Sequence, residues 1–308
     1  MKFKIILLLL LVASQTYAQD LYLKTFGDPN AAPIIYLHGG PGYNSTSFEV
    51  TTAEKLAAEG FFVIVYDRRG EGRSDKLKAA FTFEETISDL NQIYEKHAVE
   101  KATLIGHSFG GIVATLFAEQ APEKVSEIVL LSAPIKLQDI FHTIIDTCEV
   151  IYKKNADEVN LNYIGMLKKM DPHSLEYSSY CFMHAMANGF YIPEKMTTAA
   201  STLYAEYSQS ELFKYANQMS YTAPQGFWEK EKYTSIDLTE PLRKLVAHSV
   251  PIYGIYGKED GLFSVQQIEH ITSIIGSKNV HYLKNSAHNP FIDRQAIFLE
   301  ILTNFTKK

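Results

Sequence analysis

Short apolar runs rich in branched side chains recur along this chain at residues 34–37, 62–66, 103–105, 128–131, 251–256 and 280–283. The first five stop abruptly at Gly, Pro or Asp: His38-Gly39-Gly40-Pro41, Asp67, Gly106, Ser132-Ala133-Pro134 and Gly257. Continuous apolar runs, unlike alternating ones, suit strands buried on both faces of a parallel sheet. Between them lie helical patterns at 49–59, 83–97, 111–120, 264–275 and 294–305. This alternation predicts an α/β fold with a doubly wound, mostly parallel sheet.

The rhythm breaks between residues 135 and 236. That stretch carries helical patterns, no clear strand run, and 16 of the chain's 38 Phe, Tyr and Trp residues (counted over 136–236). It reads as a helical cap inserted into one core: 19–134 the first part of the core, 135–236 the cap, 237–308 the second part. Most of the aromatics are expected to form the cap's own core, and some to line a pocket.

Residues 1–18 read as a signal peptide. Lys2 and Lys4 precede an unbroken apolar run at 5–13, and Thr16-Tyr17-Ala18 supplies the small residues of a cleavage site. The run is shorter than the roughly 20 residues that span a bilayer. Cleavage after Ala18 leaves 290 residues and moves the net charge from −6 to −8. The mature protein is then expected to be periplasmic or secreted, with no stable membrane anchor. Lys plus Arg is 29 against 35 Asp plus Glu, without a basic stripe, so nucleic acid is not an expected partner. The two cysteines, Cys148 and Cys181, are too few for a disulfide scaffold or a four-thiolate zinc site. They either pair in an oxidising space or stay as two buried thiols. Neither H-E-x-x-H nor G-x-G-x-x-G occurs, and no metal or other cofactor is expected.

The chemistry concentrates where strands end. Gly106-His107-Ser108-Phe109-Gly110 fits G-x-S-x-G between a strand run and a helical pattern, the setting of a nucleophile elbow. Ser108 is therefore the candidate nucleophile. The chain has ten histidines, and His288 alone lies in a loop after the last strand run. It is the candidate base. His38 and His107 sit beside the other motifs and are expected to shape loops. Asp260, following the 251–256 run, is the candidate acid that orients His288, with Glu259 its competitor. The His38-Gly39-Gly40-Pro41-Gly42 loop lets backbone approach a ligand closely. With the elbow it offers an oxyanion hole from the Gly40 and Phe109 N–H groups. Asp67-Arg68-Arg69-Gly70-Glu71-Gly72-Arg73-Ser74 reads as a structured turn in which Arg73 ties down the loop.

The order Ser108, Asp260, His288 matches that of the α/β-hydrolase superfamily. His38-Gly39-Gly40-Pro41-Gly42, the 67–74 turn and the Ser108 elbow together resemble its proline iminopeptidase branch, over roughly residues 20–134 and 237–308 on motif positions alone. The resemblance implies an α/β-hydrolase fold, a covering helical cap, and release of an N-terminal residue, preferably proline, from peptides. It also implies that acidic cap residues hold the free amine. The chain departs from that branch in having Phe109 after the nucleophile, His107 before it, and a single tryptophan, Trp228.

The expected reaction is acyl transfer to water on a small-molecule or short-peptide substrate. His288 takes the Ser108 proton, the oxyanion rests on Phe109 and Gly40, and an acyl-enzyme is then hydrolysed. A carboxylesterase or lactonase without peptidase activity is the alternative within this chemistry. A non-catalytic binding protein on the same fold is the alternative outside it.

Overall fold

Ile34 and Tyr36 pack on one side of the central sheet and Ile35 and Leu37 on the other, so a single strand feeds two separate cores. The computed structural model describes residues 20–306, and the expected signal peptide with its cleavage point at Ala18 lies outside the described residues. The strands are β1 Leu23–Phe26, β2 Ala32–Leu37, β3 Phe61–Tyr66, β4 Ala102–His107, β5 Val125–Leu131, β6 Ile252–Gly257 and β7 Val280–Leu283. They form one seven-stranded sheet in the order β1-β3-β2-β4-β5-β6-β7. Every pairing is parallel except β1 with β3. All six expected runs lie on strands.

β1 is the strand that the apolar pattern did not show. It sits at the sheet edge, with Lys24 and Thr25 exposed, so only its ends carry apolar side chains. Helices cover both faces. Phe83–Lys96, Phe109–Gln120 and Val265–Ile275 line the larger core, and Gln295–Thr306 packs on the other side. The 49–59 pattern begins as a π-turn, Glu49–Ala53, before continuing as Glu54–Ala58. A further amphipathic helix, Thr239–Ala247, buries Leu242 and Leu245.

Between β5 and β6 the chain leaves the sheet. It runs through helices Leu137–Lys154, Glu158–Leu167, Leu175–Ala187, Thr198–Gln209 and Thr222–Glu231. The exit and return are stitched together. Leu238 N–H donates to Ile135 O at 2.8 Å, and Lys136 pairs with Asp237 at 3.0 Å. Among the described residues no helix is long and apolar enough to cross a membrane.

The sheet decides where chemistry can occur. β2 pairs with both β3 and β4, so successive connections leave on opposite sides of β2. The loops after β2, β3, β4, β6 and β7 all gather at the carboxyl ends of parallel strands, where open α/β sheets place ligand crevices.

Candidate active site

Ser108 is held at φ 51°, ψ −121°, between β4 and the helix Phe109–Gln120. This is a left-handed conformation that a non-glycine residue adopts at a cost. Its N–H donates to Leu131 O at 2.9 Å, which fixes the turn to β5. Gly110 makes the turn sterically feasible: a Cβ there would lie 2.0 Å from the Leu37 carbonyl oxygen. His107 and Phe109 are buried, while Ser108 keeps partial access to solvent. The Gly111 N–H donates to Ser108 O at 2.9 Å, and the start of a helix carries a positive dipole end.

Asp260 Oδ2 lies 2.8 Å from His288 Nδ1, with both side chains buried. A carboxylate only accepts, so Nδ1 carries a proton, which in a neutral imidazole leaves the lone pair on Nε2. Asp260 Oδ1 accepts the Leu262 N–H at 3.1 Å, which pins the carboxylate itself. Glu259 points elsewhere and accepts the Glu194 N–H at 3.0 Å. The backbone carbonyl of His288 is held by His107 Nε2 at 2.9 Å, and the two rings stand 5.0 Å apart. Burial and the neighbouring His288 push His107 down to about 3, so it is a neutral donor. His288 is thereby tied directly to the residue before Ser108. The hydrogen bonds of the described residues stop at His288, and none takes the Ser108 hydroxyl. Such bonds often tighten only when substrate arrives.

The loop after β2 lies on Ser108: a Cβ on Gly39 would be 3.3 Å from Ser108 Cβ. Gly40 takes φ 125°, a region that favours glycine. The Gly39 carbonyl accepts from Arg68 Nη2 at 2.6 Å and from His38 Nδ1 at 2.7 Å. In a trans peptide the N–H opposes the carbonyl, so the Gly40 N–H is turned away from Arg68. Arg68 Nη1 also donates to His38 O at 2.5 Å, and Glu71 pairs with Arg68 at 2.9 Å while accepting the Gly42 N–H at 2.6 Å. His38 Nε2 accepts the Arg68 N–H at 3.0 Å, and burial, reinforced by the Arg68 charge, holds His38 well below its ordinary pKa. Arg73 ties the same turn to the core through Asp67 and Glu49, each at 2.6 Å. The motif reading singled out Arg73. It missed Arg68 and Glu71, whose contacts lie some thirty residues away in sequence.

The helical insertion reaches each of these loops. Ser220 N–H donates to Gly42 O at 2.8 Å, Gly261 N–H to Phe190 O at 3.0 Å, and His288 N–H to Tyr191 O at 3.3 Å. Tyr191 stands edge-on to His288, and Phe227 and Tyr233 stand edge-on to Phe109.

A family profile for the alpha/beta hydrolase fold matches residues 32–295. The chain belongs to the alpha/beta hydrolase fold family. Within this family, the proline iminopeptidase of Heyndrickxia coagulans is 22% identical over 282 residues, covering 89% of this chain and 90% of the relative. The rhodomycin D methylesterase of Streptomyces sp. strain C5 is 32% identical over 114 residues, 36% of this chain and 38% of the relative. The solved structure of a proline iminopeptidase-related protein from Thermus thermophilus superposes with a TM-score of 0.64 at 23% identity, covering 92% of each chain. That likeness is one of hydrolase fold.

Proposed function

We propose that this alpha/beta hydrolase is a serine hydrolase that cleaves an ester or amide bond of a small molecule or short peptide. The observation that carries the reading is the buried Asp260–His288 pair, tied through His107 to the residue before a serine in a left-handed elbow. His288 Nε2 takes the Ser108 proton as Oγ attacks the carbonyl carbon. The Phe109 and Gly40 N–H groups receive the oxyanion, and Asp260 stabilises the imidazolium. His288 then protonates the leaving group, and water repeats the sequence on the acyl-enzyme.

The 32% identity with the rhodomycin D methylesterase over 114 residues supports ester cleavage as the first reading. The similarity to proline iminopeptidase along most of the chain favours an aminopeptidase as the second. A serine-directed fluorophosphonate tests the class: folded protein takes the label and Ser108→Ala does not. Equal labelling of the two, or none, leaves a binding protein on this fold. Aryl esters assayed beside aminoacyl-arylamides then separate the two enzymes. Residues 1–18 would direct the chain to the periplasm or medium, and N-terminal sequencing of exported protein tests this by finding Gln19 first.

A further inference from the structure

Asp293 is a buried carboxylate, 1% exposed, that the chemistry above leaves unused. It closes the short turn Pro290–Asp293 just after His288. Its Oδ2 accepts the Ala287 N–H at 2.8 Å, with the Ser286 hydroxyl at 3.5 Å. Its Oδ1 accepts the Tyr204 hydroxyl at 2.9 Å. Tyr204 belongs to the helix Thr198–Gln209 of the insertion, and its hydroxyl also accepts from Asn289 Nδ2 at 3.4 Å. The residues on both sides of His288 are thus tied to one side chain of the insertion, Ala287 through Asp293 and Asn289 directly.

We propose that Asp293 is a positioning residue that, through Tyr204, couples the seating of the helical insertion to the orientation of His288. The proposal rests on the serine-hydrolase reading of Ser108. An ionised carboxylate accepts from Tyr204 and Ala287 at once. A protonated one carries hydrogen on one oxygen, so the bond at that oxygen must weaken or reverse its donor. Burial pushes Asp293 up to about 6, the Asp260 charge adds to this, and the bonds from Ala287, Tyr204 and Ser286 oppose it. These are the groups that face it: Tyr204 from the insertion, Ser286 and Ala287 from the His288 loop, and Asp260 from the loop after β6. Burial raises the Tyr204 hydroxyl far above its ordinary value, so it keeps its proton.

The test is the rate at which an alkyl fluorophosphonate labels Ser108, followed against pH in the full chain. It is measured for wild type, Tyr204→Phe, Asp293→Asn and the double variant, beside their thermal midpoints. Tyr204→Phe should stay folded and label about tenfold more slowly, the worth of one hydrogen bond to a charged group. Its acid limb should move to higher pH, because the lost bond held the carboxyl down. Asp293→Asn should lose the step that belongs to the carboxyl, and the double variant should be no slower than Asp293→Asn. Tyr204→Phe labelling like wild type with an unmoved limb overturns the proposal. So do losses that simply multiply in the double variant. If Asp293→Asn does not fold, Tyr204→Phe decides alone. A folded wild-type protein that takes no label overturns the hydrolase reading, a result distinct from a labelled wild type with an insensitive Tyr204→Phe.

Discussion

Arg68 donates to the Gly39 carbonyl oxygen at 2.6 Å, so a buried cation on the turn after β3 sets the direction of a peptide group after β2. The same guanidinium is neutralised by Glu71, which in turn holds the Gly42 N–H at 2.6 Å. The loop facing Ser108 is therefore oriented from behind by a buried charge pair.

Replacing Arg68 with Lys keeps the charge and loses the planar fork that serves two carbonyls at once. Turnover of any accepted ester should fall by roughly 10²- to 10³-fold, the effect of one misplaced oxyanion donor. KM should change little. Steady-state kinetics on the best substrate of the panel checks this, and near-normal kcat would mean that the loop holds its orientation without Arg68.

Asp260→Asn and Glu259→Gln separate the two carboxylates that the motif left side by side. An amide at 260 can donate to Nδ1 and favour the wrong tautomer, with an expected loss in kcat on the order of 10⁴. Glu259 touches the Glu194 backbone instead, so Glu259→Gln should retain wild-type turnover. Equal losses in the two variants would overturn the assignment.

Arg73→Met should destabilise strongly. It leaves Asp67 buried without its counter-charge and Glu49 with Lys24 alone, at a cost of about 3–5 kcal/mol. The thermal midpoint should drop on the order of 10 °C. The sign of the pH dependence follows. Burial raises the Asp67 pKa, but the Arg73 bonds and charge outweigh it and hold the group below the usual carboxylate range. In wild type that stabilisation is fully present above the usual range and is lost as pH falls below it, through the depressed value of Asp67. Without Arg73 burial wins, so the gap between variant and wild type should narrow on acidification. Thermal melts across pH test this, and a constant gap would count against it.

Both cysteines are buried free thiols, with Asn188 Nδ2 3.5 Å from Cys148 Sγ. Burial pushes Cys148 up to about 11 and Cys181 up to about 12. The thiolate is the reactive form, so native protein should react slowly with Ellman's reagent and yield both thiols only on unfolding. Rapid native reaction would contradict this burial, and a denatured protein without thiols would mean that the two had paired.

The buried strands were legible because a sheet covered on both faces demands continuous apolar runs, and runs such as 62–66 have no other use. β1 was not, because an edge strand is stabilised by pairing with β3 and by little side-chain burial of its own. The sharp turn at Ser108 and the pairing of His288 with Asp260 were legible because a tight strand-to-helix turn needs glycines such as Gly106 and Gly110, and chain order singles out one histidine. Arg68 and Asp293 were hidden. Arginine in a polar turn and aspartate after Phe291-Ile292 carry no mark of what they touch.

By itself the sequence determined local matters: where the chain must be apolar, where it must bend past a glycine, and in which order Ser108, Asp260 and His288 follow one another. Tertiary structure decided which of two adjacent carboxylates meets His288, which arginine steers the Gly39–Gly40 peptide, and which tyrosine of the insertion reaches Asp293. Those choices depend on hydrogen-bond direction and the burial of charge between segments distant in the chain. Both quantities arise only once the loops are folded against one another.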